Sequence, residues 1–193
     1  MIRSFVLPCL LLPLIAFPAN GGADPYQLLV TGGAGYNAYI AETPPYTSNS
    51  GGFSGTVRFM WKPEHRLSVG LETGYLYMYS VEATNVGTDF GSTDLFGARS
   101  AIPISIVFTM DVIDRLQVTA GAGEFVVMGT TESFGNETRS SSLSTGFLGA
   151  VSYLVPVSPT LEVGGEAKWY TAAKFEDAGV SFQLMMRWKA LEW

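Results

Sequence analysis

The sequence predicts an all-β protein: an eight-stranded antiparallel up-and-down transmembrane β-barrel, preceded by an export segment. Three observations lead to this fold class. Apolar and polar residues alternate over long stretches, the connections between those stretches alternate between short and long, and only 15% of the 193 residues are charged. An average soluble protein carries about 25% charged residues. A sheet crosses a bilayer only as a closed barrel with an apolar outside, which fits all three observations.

Composition also restricts the function. The formal net charge of −6 argues against nucleic-acid binding, which needs a basic surface. One cysteine (Cys9) and one histidine (His65) leave no disulfide framework and no Cys/His zinc site. The sequence therefore predicts no metal, no cofactor and no nucleic-acid partner.

Residues 1–23 have the order of a secretory signal peptide. Arg3 gives a basic start, Phe5 to Phe17 form an apolar stretch, and the small residues Ala19 to Ala23 follow. Cleavage is expected near 21–23, which leaves 24–193 as the barrel domain. An uncleaved N-terminal anchor is the alternative.

Eight strands are predicted, each from an alternation of apolar and polar residues with a period of two. In the third, Leu67, Val69 and Leu71 begin one apolar parity that runs to Val81, against Ser68, Gly70 and Glu72. In the fifth, Glu124 would fall on the apolar face, so a β-bulge is expected at the glycines of 121–123. The predicted strands cover 26–39, 53–61, 67–81, 99–110, 116–128, 143–153, 161–169 and 180–188.

The connections alternate in length, as in membrane barrels with short turns at one end and long loops at the other. Short connections are predicted at 62–66, 111–115 and 156–159, and long ones at 40–52, 82–97 and 131–141. The connection at 171–178 is intermediate. The long loops are polar and acidic, through Glu82, Asp89, Asp94, Glu132, Glu137, Glu176 and Asp177. These acids either bind divalent cations or are ordinary solvated loop residues.

The residues on the polar side of each strand are predicted to line the lumen of the barrel. They are mostly Gly, Ser and Thr with a few charges of both signs, whereas a water-exposed face carries many Lys and Glu. The lumen charge network is predicted to contain Arg58, Glu72, Arg99, Glu162, Glu166, Lys168 and Arg187. Eight strands leave room only for side chains, so a paired polar plug is expected, with a narrow selective channel as the alternative.

Aromatic residues cluster at the ends of the predicted strands, where amphipathic rings favour a membrane interface. Those predicted to mark the interfaces are Trp61, Tyr77, Tyr79, Trp169 and Trp188.

With this pattern the chain resembles the small eight-stranded outer-membrane barrels of the OmpA-transmembrane and OmpX type. The resemblance rests on strand count, loop alternation, the export segment and the final aromatic residue, Trp193. It implies a bacterial outer-membrane location, with outer-membrane lipids, lipopolysaccharide and the barrel assembly machinery as partners. In that family Leu191 and Trp193 would form the C-terminal assembly signal, although Trp188 stands where the family often has glycine.

No catalytic residues are predicted. His65 lies in a short turn, Ser140 to Ser142 have no histidine nearby in sequence, and Gly32 to Gly35 lack the lysine and helix of a phosphate loop. The expected role is therefore structural or in surface interaction, with an unknown extracellular ligand. The alternatives are a narrow channel, a barrel that handles lipids or small molecules, and a soluble periplasmic binding barrel.

Overall fold

The structure is a computed structural model that describes residues 26–40, 47–63, 66–88, 91–173 and 177–193. The predicted signal peptide and His65 lie outside the described residues. The strands are β1 (Gln27–Tyr39), β2 (Thr47–Asn49), β3 (Gly51–Lys62), β4 (Leu67–Thr88), β5 (Gly91–Ile113), β6 (Leu116–Ser133), β7 (Asn136–Ser158), β8 (Leu161–Ala172) and β9 (Asp177–Glu192).

Eight of these strands form a closed antiparallel ring. Neighbours in sequence pair in order from β3 to β9, and β1 closes the ring between β3 and β9. One path of paired residues round the barrel runs through Leu29, Met60, Gly70, Val107, Gly121, Leu148, Tyr170, Gly179 and Tyr39. This path returns to β1 ten positions further on (29 to 39), which is the stagger of strands tilted by about 35–45°.

The apolar parity faces outward and the polar parity faces inward. Phe59, Ile104 and Leu184 are exposed on the outside, Leu184 by 80%, while Thr56, Glu72 and Ser105 are buried inside. This confirms the predicted fold class and the direction of the faces. A soluble binding barrel would bury its apolar parity instead, so the exterior belt argues against that alternative.

The ends of the barrel differ from each other. The turns at Asp114–Arg115 and Pro159–Thr160 are short and lie at what we call the turn end. At the opposite end, which we call the hairpin end, β4 pairs with β5 up to Thr88–Gly91 and β6 pairs with β7 up to Ser133–Asn136. Most of the connections expected at 82–97 and 131–141 are therefore strand, because each continues the ladder of its hairpin. In the described residues, no helix has the length and apolar character needed to cross a membrane.

The bulge expected at 121–123 is wrong. Gly121, Ala122 and Gly123 pair in continuous register with Val107, Ile106 and Ser105. An added Cβ at Gly123 would meet the backbone of Ile104 and Ser105, so close approach of the strands explains the glycine. Glu124 consequently stays on the outer face.

A bulge does occur near the C-terminus. Leu28 pairs with Leu191 and Leu29 with Lys189, so one residue of β9 is left over. The bulge lets Trp188 and Leu191, which differ in parity, both face outward, while Lys189 turns inward. Beyond it, Trp193 and Tyr26 exchange two backbone hydrogen bonds of 3.0 and 3.1 Å at the turn end.

Candidate functional site

Four charged side chains meet in the middle of the lumen. The Arg58 Nη1 and Nη2 atoms donate to the two carboxylate oxygens of Glu166 at 2.5 and 2.7 Å, and its Nε donates to Glu72. Lys168 Nζ donates to the other Glu72 oxygen at 2.6 Å. We call Arg58, Glu72, Glu166 and Lys168 the central cluster. Its two cations and two anions give no net charge.

Neutral hydroxyl groups complete the hydrogen bonds of the central cluster. Ser152 Oγ donates to Glu166 at 2.7 Å, and Lys168 Nζ donates to Thr56 Oγ1 at 2.8 Å. The four charged side chains are at most 5% exposed. Buried charges are tolerated when they are paired and fully hydrogen-bonded, which is the condition met here.

Two more ion pairs line the turn end. Arg187 Nε donates to Glu162 at 2.6 Å, and Lys62 Nζ donates to Asp111 at 2.7 Å. They border an open vestibule of about 490 Å³. A much smaller cavity of about 20 Å³ lies next to Arg58 and Arg187. The predicted Glu162 and Arg187 therefore lie near the mouth, apart from the central cluster, and sequence reasoning missed Lys62 and Asp111.

Arg99 is inward-facing but stands far from the central cluster. It lies six positions closer to the hairpin end than Ser105, the residue that pairs with Glu72. Its Nη1 atom is 3.4 Å from the hydroxyl oxygen of Tyr79. Tyr79 itself differs from its expected place at the membrane interface, because a bulge between Tyr77 and Tyr79 turns it inward against the buried Tyr39.

The lumen beyond the central cluster, towards the hairpin end, contains a layer of buried apolar and aromatic residues next to the hydrogen-bonded Ser54, Ser181 and Gln183. Phe125 and Tyr170 stack with ring centroids 6.1 Å apart, and both are fully buried. Asn37 Nδ2 donates to Tyr170 Oη at 2.8 Å and ties this layer to β1. The remaining buried apolar residues of this half are Tyr39, Leu76, Met78, Ala101, Val127, Leu148 and Ala172. Sequence reasoning missed this apolar layer, although Leu76 and Met78 on the otherwise polar parity of β4 were a signal for it.

Aromatic residues also mark the outside of the barrel. Trp61 and Trp188 are about half exposed near the turn end, and Trp169 is similarly exposed near the hairpin end. Tyr26 lies between Trp61 and Trp193, with ring centroids 6.4 and 6.3 Å away. Tyr77 precedes the β4 bulge and keeps the outward parity.

A sheet of five strands protrudes from the hairpin end in the order β2–β4–β5–β6–β7. β8 pairs with β7 only from Gly146 onward, so no strand among the described residues pairs with the outer side of 136–145. We call 136–145 the free edge. Its ladder with β6 is continuous and contains no bulge.

The fold is similar to that of solved outer-membrane barrels. Ail of Yersinia pestis, in complex with the heparin analogue sucrose octasulfate, has a TM-score of 0.56 at 8% identity, covering 86% of this chain and 98% of Ail. Neisserial surface protein A has a TM-score of 0.52 at 16% identity, with 84% and 96% covered. A major outer membrane protein of Thermus thermophilus gives 0.51 at 14% identity, with 84% and 98% covered.

The chain is a β-barrel of the outer-membrane type. No protein-family model matches its sequence, and no curated protein matches it as a relative. At these identities the similarity concerns the fold of the barrel. Its chemistry has to be derived from its own side chains.

The tip of the β6–β7 hairpin of this barrel has an unusual conformation. Phe134 and Gly135 form the turn with φ of 51° and 71°. Turns with two positive φ angles favour Asn-Gly, and a bulky residue at the first position is an outlier. Phe134 is half exposed, and its backbone N–H donates to Thr93 Oγ1 at 3.0 Å.

The hairpin end of the barrel is acidic. Glu82, Asp94, Glu132 and Glu137 are all exposed there. Arg139 Nε donates to Glu137 at 2.7 Å, and this hydrogen bond holds the pKa of the Glu137 carboxyl below its usual range. In the described part of the chain, no three His, Cys, Asp or Glu side chains come together as a metal site. Asp89 and Glu176 lie outside that part.

Proposed function

We propose that this chain is an outer-membrane barrel that does not conduct and that binds external proteins through its protruding sheet. The observation that carries the proposal is the free edge. It offers a row of backbone N–H and C=O groups that an extended segment of another protein can pair with.

Exposed sheet edges are a hazard that proteins usually suppress with prolines, bulges or charges. The free edge contains no proline and no bulge, and its charges, Glu137 and Arg139, neutralise each other. An edge left open in this way supports a role in pairing with a partner strand.

Phe134 supports the same role. A phenyl ring at the tip of the hairpin is in contact with water, and its backbone is in a conformation that glycine or asparagine adopts more easily. A ring retained at such a position is suited to insert into a partner. Aromatic anchors of this kind often dominate binding energy at interfaces.

The partner surface is expected to be a protein and not a polyanion. Ail has been solved with a heparin analogue. Here the exposed charges of the protruding sheet are mainly acidic, with Arg139 already paired to Glu137. Like charges would repel a sulfated chain.

The proposal also includes the export, assembly and membrane insertion of the barrel. The half-exposed aromatic residues, among them Trp61, Trp169 and Trp188, would lie at the two membrane interfaces, in contact with lipid and lipopolysaccharide. Residues 1–23 would direct export, and Leu191 with Trp193 would be read by the barrel assembly machinery. The central cluster and the apolar layer beyond it would plug the lumen.

Adhesion of cells that display the full chain tests this proposal. Immobilised extracellular proteins form the binding panel, and outer-membrane fractionation with a heat-dependent gel shift verifies that each variant is folded and inserted. Phe134→Asn should keep the hairpin, because asparagine suits its φ, yet lose most binding. Ser141→Lys adds a charge to the free edge and should also reduce binding.

Thr131→Lys is the matched control, because it adds the same charge to β6, an inner strand of the sheet. Binding that is lost equally in Thr131→Lys and Ser141→Lys would contradict the edge model. Recovery of the wild-type chain as a soluble periplasmic protein without a heat-dependent shift would contradict the membrane location.

A further inference from the structure

Glu124 is the one charged side chain on the outer face of the closed barrel wall within the described ranges. Along the outward parity of β6, its neighbours are Ala122 and Val126, and across the strands they are Ile104 and Thr145. All other charged residues on the described wall point into the lumen or lie at its mouth. An ionisable group on a lipid-facing wall is costly, and such groups usually serve a function.

The register places Glu124 at the rim of the wall. Ala122–Phe147, Gly123–Gly146 and Glu124–Thr145 are successive pairs towards the hairpin end. β8 stops pairing with β7 at Gly146, so Thr145 is where the free edge begins. Glu124 thus lies two pairs beyond the exposed ring of Phe147, at the height where the closed wall gives way to the protruding sheet. In the membrane location proposed above, this height corresponds to the level of the lipid headgroups.

The hydrogen bonds of Glu124 are incomplete. Thr145 Oγ1 donates to its Oε1 at 2.8 Å, and no other donor among the described residues is within hydrogen-bonding distance of the carboxylate. No Lys or Arg of the described wall faces outward to neutralise it. The exposed carboxylate is therefore open to a positively charged hydrogen-bond donor that approaches from the membrane side.

We propose that Glu124 and Thr145 bind a lipid whose headgroup carries a primary ammonium group. Such a headgroup provides three N–H donors and one positive charge at the depth of the rim. The carboxylate accepts a charge-assisted hydrogen bond from it, and the small, exposed side chain of Ala122 leaves space beside Glu124 on the outer face for the headgroup. The site rests on the membrane location proposed above.

Native mass spectrometry of the full barrel released from mixed-lipid nanodiscs tests this site. The probes are phosphatidylethanolamine, phosphatidylcholine and phosphatidylglycerol with identical acyl chains. We expect the wild-type barrel to retain phosphatidylethanolamine about tenfold over phosphatidylcholine, whose quaternary ammonium has no N–H. Glu124→Gln should abolish this preference, and Glu132→Gln, which removes an acid from the protruding sheet, should preserve it.

Folding does not confound this experiment, because Glu124→Gln removes a charge from the lipid-facing wall. A preference that is absent in the wild type, or unchanged in Glu124→Gln, overturns the inference. Retention of phosphatidylglycerol only with Mg²⁺, lost in Glu124→Gln, also overturns it and assigns the carboxylate to a metal bridge. An inserted, heat-shifted barrel without preference contradicts this site alone, whereas failure to insert contradicts the membrane location and this site with it.

Discussion

Arg58 connects the two halves of the central cluster. Its guanidinium group contacts Glu72 through Nε and Glu166 through Nη1 and Nη2, so one side chain satisfies both acids. Lysine has a single charged nitrogen and cannot reproduce the fork. Lys168 instead contacts Glu72 and Thr56 from a neighbouring position.

Arg58→Met should therefore destabilise the barrel strongly. Two buried carboxylates would share only Lys168, and breaking a buried pair in this way costs about 3–5 kcal/mol in the free energy of unfolding. Urea titration of the folded barrel in lipid vesicles, followed by tryptophan fluorescence, measures the change.

Two further variants check the cause of that loss. Adding Glu72→Gln to Arg58→Met leaves one acid and one base, Glu166 and Lys168, in the central cluster and should recover part of the stability. Arg139→Gln removes an exposed arginine from the free edge and should leave the unfolding curve unchanged. A similar curve for Arg58→Met and Arg139→Gln would show that the central cluster does not stabilise the barrel.

At the level of elements, glycines decide how closely strands approach. Gly123 on β6 faces the lumen, where an added Cβ would meet the Ile104 carbonyl oxygen and the Ser105 Cα. Gly149 on β7 faces outward and has nothing within 4 Å of an added Cβ. Both are glycines in long strands, and their surroundings alone distinguish them.

Gly123→Val should consequently be harmful and Gly149→Val harmless. Overpacking at Gly123 is expected to lower the free energy of unfolding by about 1–3 kcal/mol, because the β5–β6 ladder has to shift. The same urea titration compares the two variants. Equal destabilisation of Gly149→Val and Gly123→Val would contradict the view that crowding at the lumen decides the effect of the substitution.

At the level of the whole molecule, two different kinds of layer fill the lumen. The central cluster fills the middle with paired charges, and the stacked rings of Phe125 and Tyr170 lie beyond it. The vestibule at the turn end is open, whereas the cavity next to Arg58 has a volume of only about 20 Å³. Ions crossing the barrel would have to pass both layers.

The wild-type barrel should therefore show no single-channel conductance in a planar bilayer. Eight-stranded barrels have a lumen that side chains fill, and here polar and apolar side chains fill it together. Insertion is verified by the heat-dependent gel shift of the same preparation. Regular current steps from inserted protein would contradict the plug and favour the channel alternative.

The strand period determined much of this protein by itself. It predicted the eight-stranded ring, the inward parity of Arg58, Glu72, Glu166 and Lys168, and the short turns, because the side-chain period of a strand follows from backbone geometry. It did not show which lumen charges meet. Arg58 and Glu166 are 108 positions apart in sequence, and ring closure and stagger bring them together.

Tertiary structure alone decided the remaining features. The bulges that turn Tyr79 inward and Leu191 outward depend on pairing with neighbouring strands. Glycines near Glu124 suggested a bulge in isolation, but the register with β5 shows close approach without one. The free edge exists because β8 ends its pairing at Gly146 while β7 continues to Asn136. Local alternation fixes which way side chains point, whereas relative strand length and stagger fix what they meet.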